Sequence, residues 1–545
     1  MNSHLSMWTI KDFADRLQQE DLIRGFAFYG EENCAITSIT YDSRKTEPGS
    51  LFLCKGAAFR EEYLVEAMKR GAVCYVAERK MDVELPYILV ENIRKAQAVI
   101  GALYYDNPQE ALALTGITGT KGKTTTAYYL KAIFDEWQKN QRMDGKNWGE
   151  YGSCGLLSTI CSWDGKEKAR SVLTTPEAFE LYDHFRNAVD SGMRYMVMEV
   201  SSQALKYQRV YGVNYDVGIF LNISEDHISP QEHRDFEDYF SAKLSLFRQV
   251  KTACVNLDAQ FADRILSTAR MADRIITFGT KKNADIYGSR ITKGKTGISF
   301  HVRTPDFERT IHLGMHGLFN VENALAAIAA AYAYKIPSNV IERALGKVHV
   351  DGRMEQYESR DGKITVIVDF AHNRLSFEKL YDSVLQEFQG HAIYTVFGCP
   401  GGKALNRRRD LGLIAGLLSR KVFLTADDPG MESAADIAEE IGCYMEIVGC
   451  PHIYIESRSH AIRTAIAQAA SKNRKAVILV LGKGHETTQK FGKRIYDYPS
   501  DAAMVKEAIR DYDDRSSHRP AVCDEQAAHR TLSRQLTKQK EMSIM

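Results

Sequence analysis

The sequence predicts an α/β protein of three domains. These are a small N-terminal α/β domain (residues 1–108), a central parallel-sheet domain opening on a phosphate loop (109–348) and a second doubly wound sheet (349–512). A disordered tail (513–545) follows. Three observations carry the prediction. The chain has 545 residues, and at roughly 150 residues per domain that length holds about three or four domains. Strand and helix signals alternate along most of it, the pattern of parallel strands covered by helices on both faces. One apolar strand runs through a glycine-rich loop straight into a helix, the arrangement that cradles phosphate.

In the first block short apolar runs at Ala35–Tyr41, Ser50–Cys54, Val73–Ala77 and Tyr87–Val90 read as strands, and Tyr63–Arg70 as a helix. The central block repeats strand and helix signals at Tyr195–Val200, Val217–Ile223 and Ala242–Phe247, and the Ala-rich stretch Asn323–Tyr334 is a strong helix former. In the third block Ile364–Phe370, Ala392–Phe397, Val422–Ala426 and Ala476–Leu481 are apolar and partly β-branched. That suits buried parallel strands of a Rossmann-like sheet. Beyond about Tyr512 the chain turns polar and weakly periodic, which reads as a tail.

Composition narrows the function classes. Lys and Arg number 71 against 70 Asp and Glu, a net charge of +1. A protein built to coat nucleic acid or an anionic membrane would be basic, so neither partner is expected. The 10 cysteines are scattered without a C-x-x-C pair, which indicates reduced thiols rather than a zinc ribbon or a disulfide framework. The N-terminus lacks the apolar core of a signal peptide, and no apolar run approaches the length that spans a bilayer. A cytoplasmic monomer is expected.

The strongest local signal is Leu112–Leu130, LALTGITGTKGKTTTAYYL. Gly119, Thr120, Lys121, Gly122, Lys123, Thr124 and Thr125 form the loop and its exit. Their backbone N–H groups and the helix N-terminus suit phosphate oxygens, Lys123 suits the β/γ-phosphates, and the Thr124 hydroxyl suits Mg²⁺. The first glycine of the general pattern is replaced by Ile117, with glycines at 116 and 119 instead. The loop alone fits an ATPase, kinase, GTPase or ligase.

The loop variant T-G-x-T-G-T-x-G-K-T-T-T resembles that of the Mur ligase family, ATP-dependent amide ligases that extend the peptidoglycan stem peptide. Distant segments agree. Asp42-Ser43-Arg44 followed by Pro48–Phe52 resembles the uridine-nucleotide domain of the members that add the third residue. Thr174–Ala178 (TTPEA), Met198–Ser202 (MEVSS), Asn222–His227 (NISEDH), Asp238–Phe247 (DYFSAKLSLF), Asp369–His372 (DFAH), Asp427-Asp428-Pro429 and Gly482–Glu486 (GKGHE) follow in family order. The matches run from about residue 36 to 501.

The resemblance implies a uridine-nucleotide domain, a central P-loop ATPase domain and a C-terminal domain that receives the amino acid. ATP would phosphorylate a carboxylate of UDP-N-acetylmuramoyl-L-Ala-D-Glu, and an amine would attack the acyl phosphate. Lys123, Glu199, His227 and Lys243 are then the catalytic residues, with Thr124, Glu199, His227 and a carbamylated Lys243 around Mg²⁺. Read alone, Glu199 is a strand-end carboxylate, His227 a capping or core histidine and Lys243 an ordinary helix lysine. Asn320, Asn323, Arg353, Asp369 and His372 match ATP-side positions. Tyr41, Ser43, Thr174, Thr175, Ser201 and Arg209 match positions that hold the UDP-sugar-peptide. The family histidine after Ser202 is Gln203 here, and the usual His-Thr-Pro is His372-Asn373-Arg374. A ligase with another acceptor, of folylpolyglutamate or cyanophycin type, and a nucleotide-binding homologue without catalysis are the competing readings.

For the incoming amino acid the resemblance points to Asp427, Asp428, Gly430, Gly482 and Glu486. Diaminopimelate-type members carry arginine where Gly430 stands, and a guanidinium there suits the extra carboxylate. Gly430 lacks that charge and Asp428 adds an acid, so L-lysine or another diamino acid without a second carboxylate is expected. A turn at Asp427–Gly430, or replacement of the arginine by Arg374 or Arg408, is the other reading.

Overall fold

The computed structural model describes residues 6–56, 59–143, 154–229, 232–294, 296–472 and 474–517. It divides into two compact units between Val350 and Asp351. The expected boundary near residue 108 falls inside the first unit, where it separates two sheets.

The first sheet has five strands in the order Ile23–Ala27, Tyr87–Val90, Ala72–Ala77, Ser50–Leu53, Ser38–Thr40. The expected run Ala35–Tyr41 is strand only over Ser38–Thr40. Two helices absent from the sequence reading complete the block. Ile10–Gln19 starts in a capping box between Thr9 and Asp12 and buries Ile10, Phe13 and Leu17 along one stripe. Ile93–Tyr104 is capped by Asn92, whose side chain accepts from the N–H groups of Arg94 and Lys95. Both pack on Leu51, Leu53, Val76 and Ile88.

The central sheet has eleven strands. Ala113–Thr118 lies in its middle, parallel to Tyr195–Glu199 on one side and Tyr215–Phe220 on the other. Alternate residues feed two cores, as the pleat requires. Ile117, Val197, Val217 and Ile219 face the helices Lys123–Met143 and Asn320–Ala333. Leu114, Met196, Met198 and Phe220 face Tyr239, Phe240 and Phe247. The sheet is not wholly parallel as expected. Ile286–Gly294, Gly297–Arg303 and Glu308–Leu313 extend one edge as antiparallel hairpins, and Cys161–Trp163 and Lys168–Arg170 do so at the other. Short connections leave no room for the crossover helix that a parallel pairing needs.

The second unit is a six-stranded sheet in the order Glu355–Glu358, Ile364–Asp369, Ala476–Leu481, Ala392–Phe397, Lys421–Leu424, His452–Tyr454. Only the first strand is antiparallel. The parallel strands therefore end at one common edge, where open α/β sheets bind ligands. The last helix, Asp501–Ser517, passes the expected boundary at residue 512. Asp513 is buried and accepts the N–H of Arg360, which holds the final turn in place. The remaining part of the expected tail, with Cys523, lies outside the described residues. All nine cysteines of the described residues are free thiols. No helix among the described residues is long and apolar enough to cross a membrane.

A buried ion pair locks this unit. Arg458 donates through Nε and Nη2 to Asp501 at 2.7 and 2.8 Å, and its Nη2 also reaches the Leu481 carbonyl at 2.7 Å. The two side chains are 1% and 0% exposed. Removing one partner strands the other charge in apolar surroundings. Arg458→Met is expected to destabilise the unit by about 3–5 kcal/mol in urea unfolding, and adding Asp501→Leu is expected to recover part of that loss. A single variant as stable as the wild type contradicts this account.

Candidate active site

The phosphate loop leaves the central strand and turns sharply twice. Gly119 and Gly122 have φ of +151° and +86°, values that side chains disfavour. A Cβ on Gly119 would sit 2.9 Å from that of Leu221, and one on Gly122 would strike Oδ1 of Asn323. Asn222, at the end of the neighbouring strand, pins the loop from below. Its Oδ1 accepts the Lys121 N–H at 2.9 Å and its Nδ2 donates to the Lys121 carbonyl at 3.1 Å. Thr120 hydrogen-bonds the Tyr239 hydroxyl at 3.1 Å. Thr124 and Thr125 are buried in the first helical turn. Asn323 Nδ2 donates to Asn320 Oδ1 at 2.9 Å, so both asparagines stand together at the start of the helix that backs the loop.

Two lysines meet at this loop. Lys123 Nζ donates to the Gly119 carbonyl at 2.8 Å and Lys243 Nζ donates to the same oxygen at 2.9 Å. Lys243 is only 2% exposed and lies 4.9 Å from the Tyr239 ring centre. Burial pushes its pKa well below the usual lysine value. Lys123 pushes it further down, while Asp226 pulls against them. This is not an ordinary helix lysine, which would carry its charge into water.

Glu199 ends its strand as expected but is 1% exposed rather than solvated. Its carboxylate accepts the Thr159 N–H at 2.8 Å and hydroxyl at 3.2 Å. His227 adopts φ +57°, and its Nδ1 lies 2.7 Å from Glu232 Oε1. Gln203, which stands where the family has histidine, donates to the same Glu232 oxygen at 3.4 Å. It helps fix the group that orients His227. Sequence reasoning passed over Asn222, Asp226, Thr159 and Glu232. Asn222 and Asp226 lay inside the NISEDH match without a role.

The sugar-peptide candidates gather elsewhere in the first unit. Thr175 donates to the Glu199 carbonyl at 2.8 Å and accepts the Ser201 N–H at 3.0 Å. Thr174 hydrogen-bonds Thr159 at 3.1 Å, so these threonines connect directly to the Glu199 group. Ser201 caps the short helix Ser202–Lys206. Arg209 pairs with Glu177 at 2.6 Å and donates to the Thr175 carbonyl at 3.3 Å. Tyr41 donates to Glu180 at 2.6 Å. Burial and that carboxylate both raise its pKa, so the phenol stays protonated. Ser43 differs from expectation: its hydroxyl is buried and donates to Glu66 at 2.7 Å.

In the second unit Asp369 ends the strand Ile364–Asp369, and its two oxygens accept the N–H groups of Met354 and Ala371 at 2.8 and 2.7 Å. Arg353 lies over the Phe370 ring at 4.6 Å, and His372 Nδ1 is 2.7 Å from the Phe370 carbonyl. Asn373 caps the helix Arg374–Glu387 in a box with Ser376, so this departure from the family pattern serves the helix start.

The amino-acid candidates surround a lysine that was unassigned. Lys483 is 0% exposed and donates to Asp428 at 3.0 Å, with Glu486 at 2.6 Å. Burial opposes its charge, but Asp427, Glu486 and Asp428 together raise its pKa. Asp427 is buried and lifted to about 6, mainly by desolvation, against the pull of Lys483. Gly482 does not offer its N–H to a substrate, because that group donates to the Asp369 carbonyl at 3.2 Å. Gly430 has φ +61° with open space where a side chain would begin. Arg374 pairs with Glu378 at 2.8 Å. Arg408 is buried between Glu432 and Glu440 at 2.7 and 2.6 Å. A cavity of about 490 Å³ beside Gln489 is lined by Glu456, Arg458, Phe491 and Tyr498, and by none of the five expected residues.

Known proteins match both units. Residues 117–331 fit the Mur ligase middle domain and residues 352–484 the Mur ligase glutamate ligase domain. The chain is 35% identical over 497 residues to the UDP-N-acetylmuramoyl-L-alanyl-D-glutamate–L-lysine ligase of Streptococcus pneumoniae, covering 90% of this chain and 97% of that one. It is also 35% identical over 500 residues to the corresponding 2,6-diaminopimelate ligase of Caldanaerobacter subterraneus, covering 90% and 98%. A solved 2,6-diaminopimelate ligase superposes with a TM-score of 0.61 at 22% identity, covering 93% of this chain and 99% of that one. The chain belongs to the Mur ligase family of ATP-dependent amide ligases.

Proposed function

We propose that this protein adds the third residue of the peptidoglycan stem peptide, joining L-lysine or a similar diamino acid to UDP-N-acetylmuramoyl-L-alanyl-D-glutamate. The observation that carries the catalytic reading is the shared Gly119 carbonyl. Two lysine amines on one neutral oxygen cannot both stay charged at low cost in a buried site. Lys243 is the one that burial and Lys123 drive toward the neutral amine, the form that reacts with CO₂. A bond forms between Nζ and the CO₂ carbon, a proton leaves the nitrogen, and the cation becomes an anionic oxygen donor.

The reaction follows from the need to activate a carboxylate. An acceptor carboxylate oxygen attacks the γ-phosphorus of ATP, ADP departs, and an acyl phosphate results. The amine of the incoming residue adds to its carbonyl carbon, and the tetrahedral adduct collapses with loss of phosphate and a proton. Loop N–H groups and Lys123, released from Gly119, hold the phosphate oxygens, which is positioning and charge neutralisation. Thr175 and Ser201, tied to the Glu199 strand end, orient the acceptor. Arg353, Asp369, His372, Asn320 and Asn323 are assigned to the nucleotide only as the resemblance implies. Glu199, Thr124, His227 and a carbamylated Lys243 would hold Mg²⁺ as the resemblance implies, the carboxylate, hydroxyl and carbamate supplying the oxygen donors a hard cation takes. Bound Mg²⁺ would neutralise the charge that grows on the transferring phosphoryl group.

Lys243→Ala is expected to lower turnover by at least about a hundredfold, with no rescue by bicarbonate. Wild-type protein in ¹³C-bicarbonate is expected to show a carbamate carbon resonance that the variant lacks. Wild-type-like turnover of Lys243→Ala refutes the role.

Charge supports the lysine preference. Asp427, Asp428 and Glu486 stand against Lys483, while Arg458, which also acts on Asp427, is paired with Asp501; that balance favours a distal ammonium over a distal carboxylate. Arg408, buried between Glu432 and Glu440, is already neutralised, and Arg374 is an exposed side chain paired with Glu378 on its own helix, which supports the same reading. Product mass measurement with lysine, ornithine and meso-diaminopimelate tests this. Lysine is expected to be favoured by about tenfold or more, and preference for meso-diaminopimelate overturns the reading.

The cluster also sets a pH dependence. Asp427 is ionised above about 6 and loses its charge as pH falls through that value. The stability linked to its raised pKa runs the other way, present in acid and lost as pH rises through about 6. The KM for lysine is expected to rise roughly threefold to tenfold between about pH 7.5 and about pH 5.5, and Asp427→Asn should flatten the change. An equal slope in that variant speaks against Asp427.

A further inference from the structure

Glu177 stands at the N-cap of the helix Ala178–Asp190, yet its side chain makes no capping hydrogen bond. The carboxylate is engaged by two cations instead. Lys55, just beyond the strand Ser50–Leu53, takes one oxygen in an ion pair, and Arg209 takes the other at 2.6 Å. Lys55 comes from the five-stranded sheet and Glu177 from the chain beside the central sheet, 122 residues apart. The two cationic side chains are only 10% and 12% exposed.

Aromatic rings fix the group further. Lys55 Nζ lies 4.7 Å from the Tyr41 ring centre, and Tyr41 donates to Glu180, one turn along the same helix. Arg94 stacks on Tyr207 at 4.3 Å and acts electrostatically on both Lys55 and Glu177. Three cations thus surround Glu177, while the nearby Glu180 is satisfied by a phenol. Burial lowers the Lys55 pKa despite its partner, so the site gains from a second anion.

We infer that Glu177 is a positioning residue that joins Lys55 and Arg209 into a two-cation receptor for an anionic group of the acceptor, with Lys55 as an acceptor-binding residue. The inference rests on the proposed acceptor class and deepens it. Arg209 alone offers a fork to a carboxylate or phosphate. With Lys55 held on the same glutamate, the receptor carries two donors from two sheets and registers the acceptor against both. Without Glu177 the two cations would repel each other and splay apart.

The test uses the full chain with UDP-N-acetylmuramoyl-L-alanyl-D-glutamate, ATP and lysine. Lys55→Met and Glu177→Gln are each expected to raise the acceptor KM about tenfold or more while leaving the ATP KM within about twofold. Lys55→Arg should restore most of the affinity. An acceptor KM unchanged in Lys55→Met overturns the inference, provided wild type turns over this acceptor. So do equal rises in both KM values that track a fall in Tm, since these mark a purely structural bridge. Absence of any turnover by wild type with this acceptor overturns the function reading, and the inference with it.

Discussion

The Gly119 carbonyl is the point on which the site depends. It is a single neutral acceptor, yet Lys123 arrives from the loop helix and Lys243 from a helix across the sheet. Few ways exist to bring two ammonium groups this close inside protein. Burial and Lys123 both drive Lys243 toward the neutral amine, because the local dielectric magnifies repulsion that water would hide. The loop geometry makes the encounter unavoidable. Gly119 and Gly122 have conformations that expose the carbonyl, and Asn222 clamps the backbone so that it cannot turn away. On the proposed function, Lys123 would leave this oxygen for a phosphate, which would couple phosphate binding to the state of Lys243 through one atom.

A second constraint is how the strand ends are joined. Glu199 receives both the backbone and the hydroxyl of Thr159, and Thr159 touches Thr174. Thr175 binds the Glu199 carbonyl and the Ser201 N–H. The Glu199 carboxylate and the hydroxyls of Thr159, Thr174 and Thr175 are thus one hydrogen-bonded assembly. Such a network is rigid when every member is satisfied.

The sequence made the parallel core legible because buried strands read as apolar runs. It made the phosphate loop legible because glycine, lysine and threonine must fall in fixed order. What it hid was contact between distant positions. The pairing of Lys55 with Glu177 has no local signature, and TTPEA marked Glu177 without saying what it held. Lys483 was passed over because its flanking glycines dominated the motif, although the lysine organises the acidic cluster. The antiparallel hairpins at 286–313 were missed since their polar alternation is weak beside the apolar parallel strands. Ser43 was chosen by motif, but a buried partner, Glu66, directs its hydroxyl inward. The helix at 501–517 outlasted its polar sequence because Asp513 is anchored by Arg360.

These observations give meaning to a net charge of only +1. The balance is an average of opposed local fields. Around Glu177 cations prevail, and around the phosphate loop two lysines converge. In the second unit three carboxylates enclose one lysine. On the proposed function, polyanionic substrates and a cationic amino acid would be matched to different surfaces of one chain. Each field is built at short range, from buried groups whose interactions salt screens weakly. A uniformly basic ligase would bind its nucleotide substrates as well, but it would repel the diamino acid proposed here. Near-neutrality with opposed local fields is consistent with reactants of opposite sign.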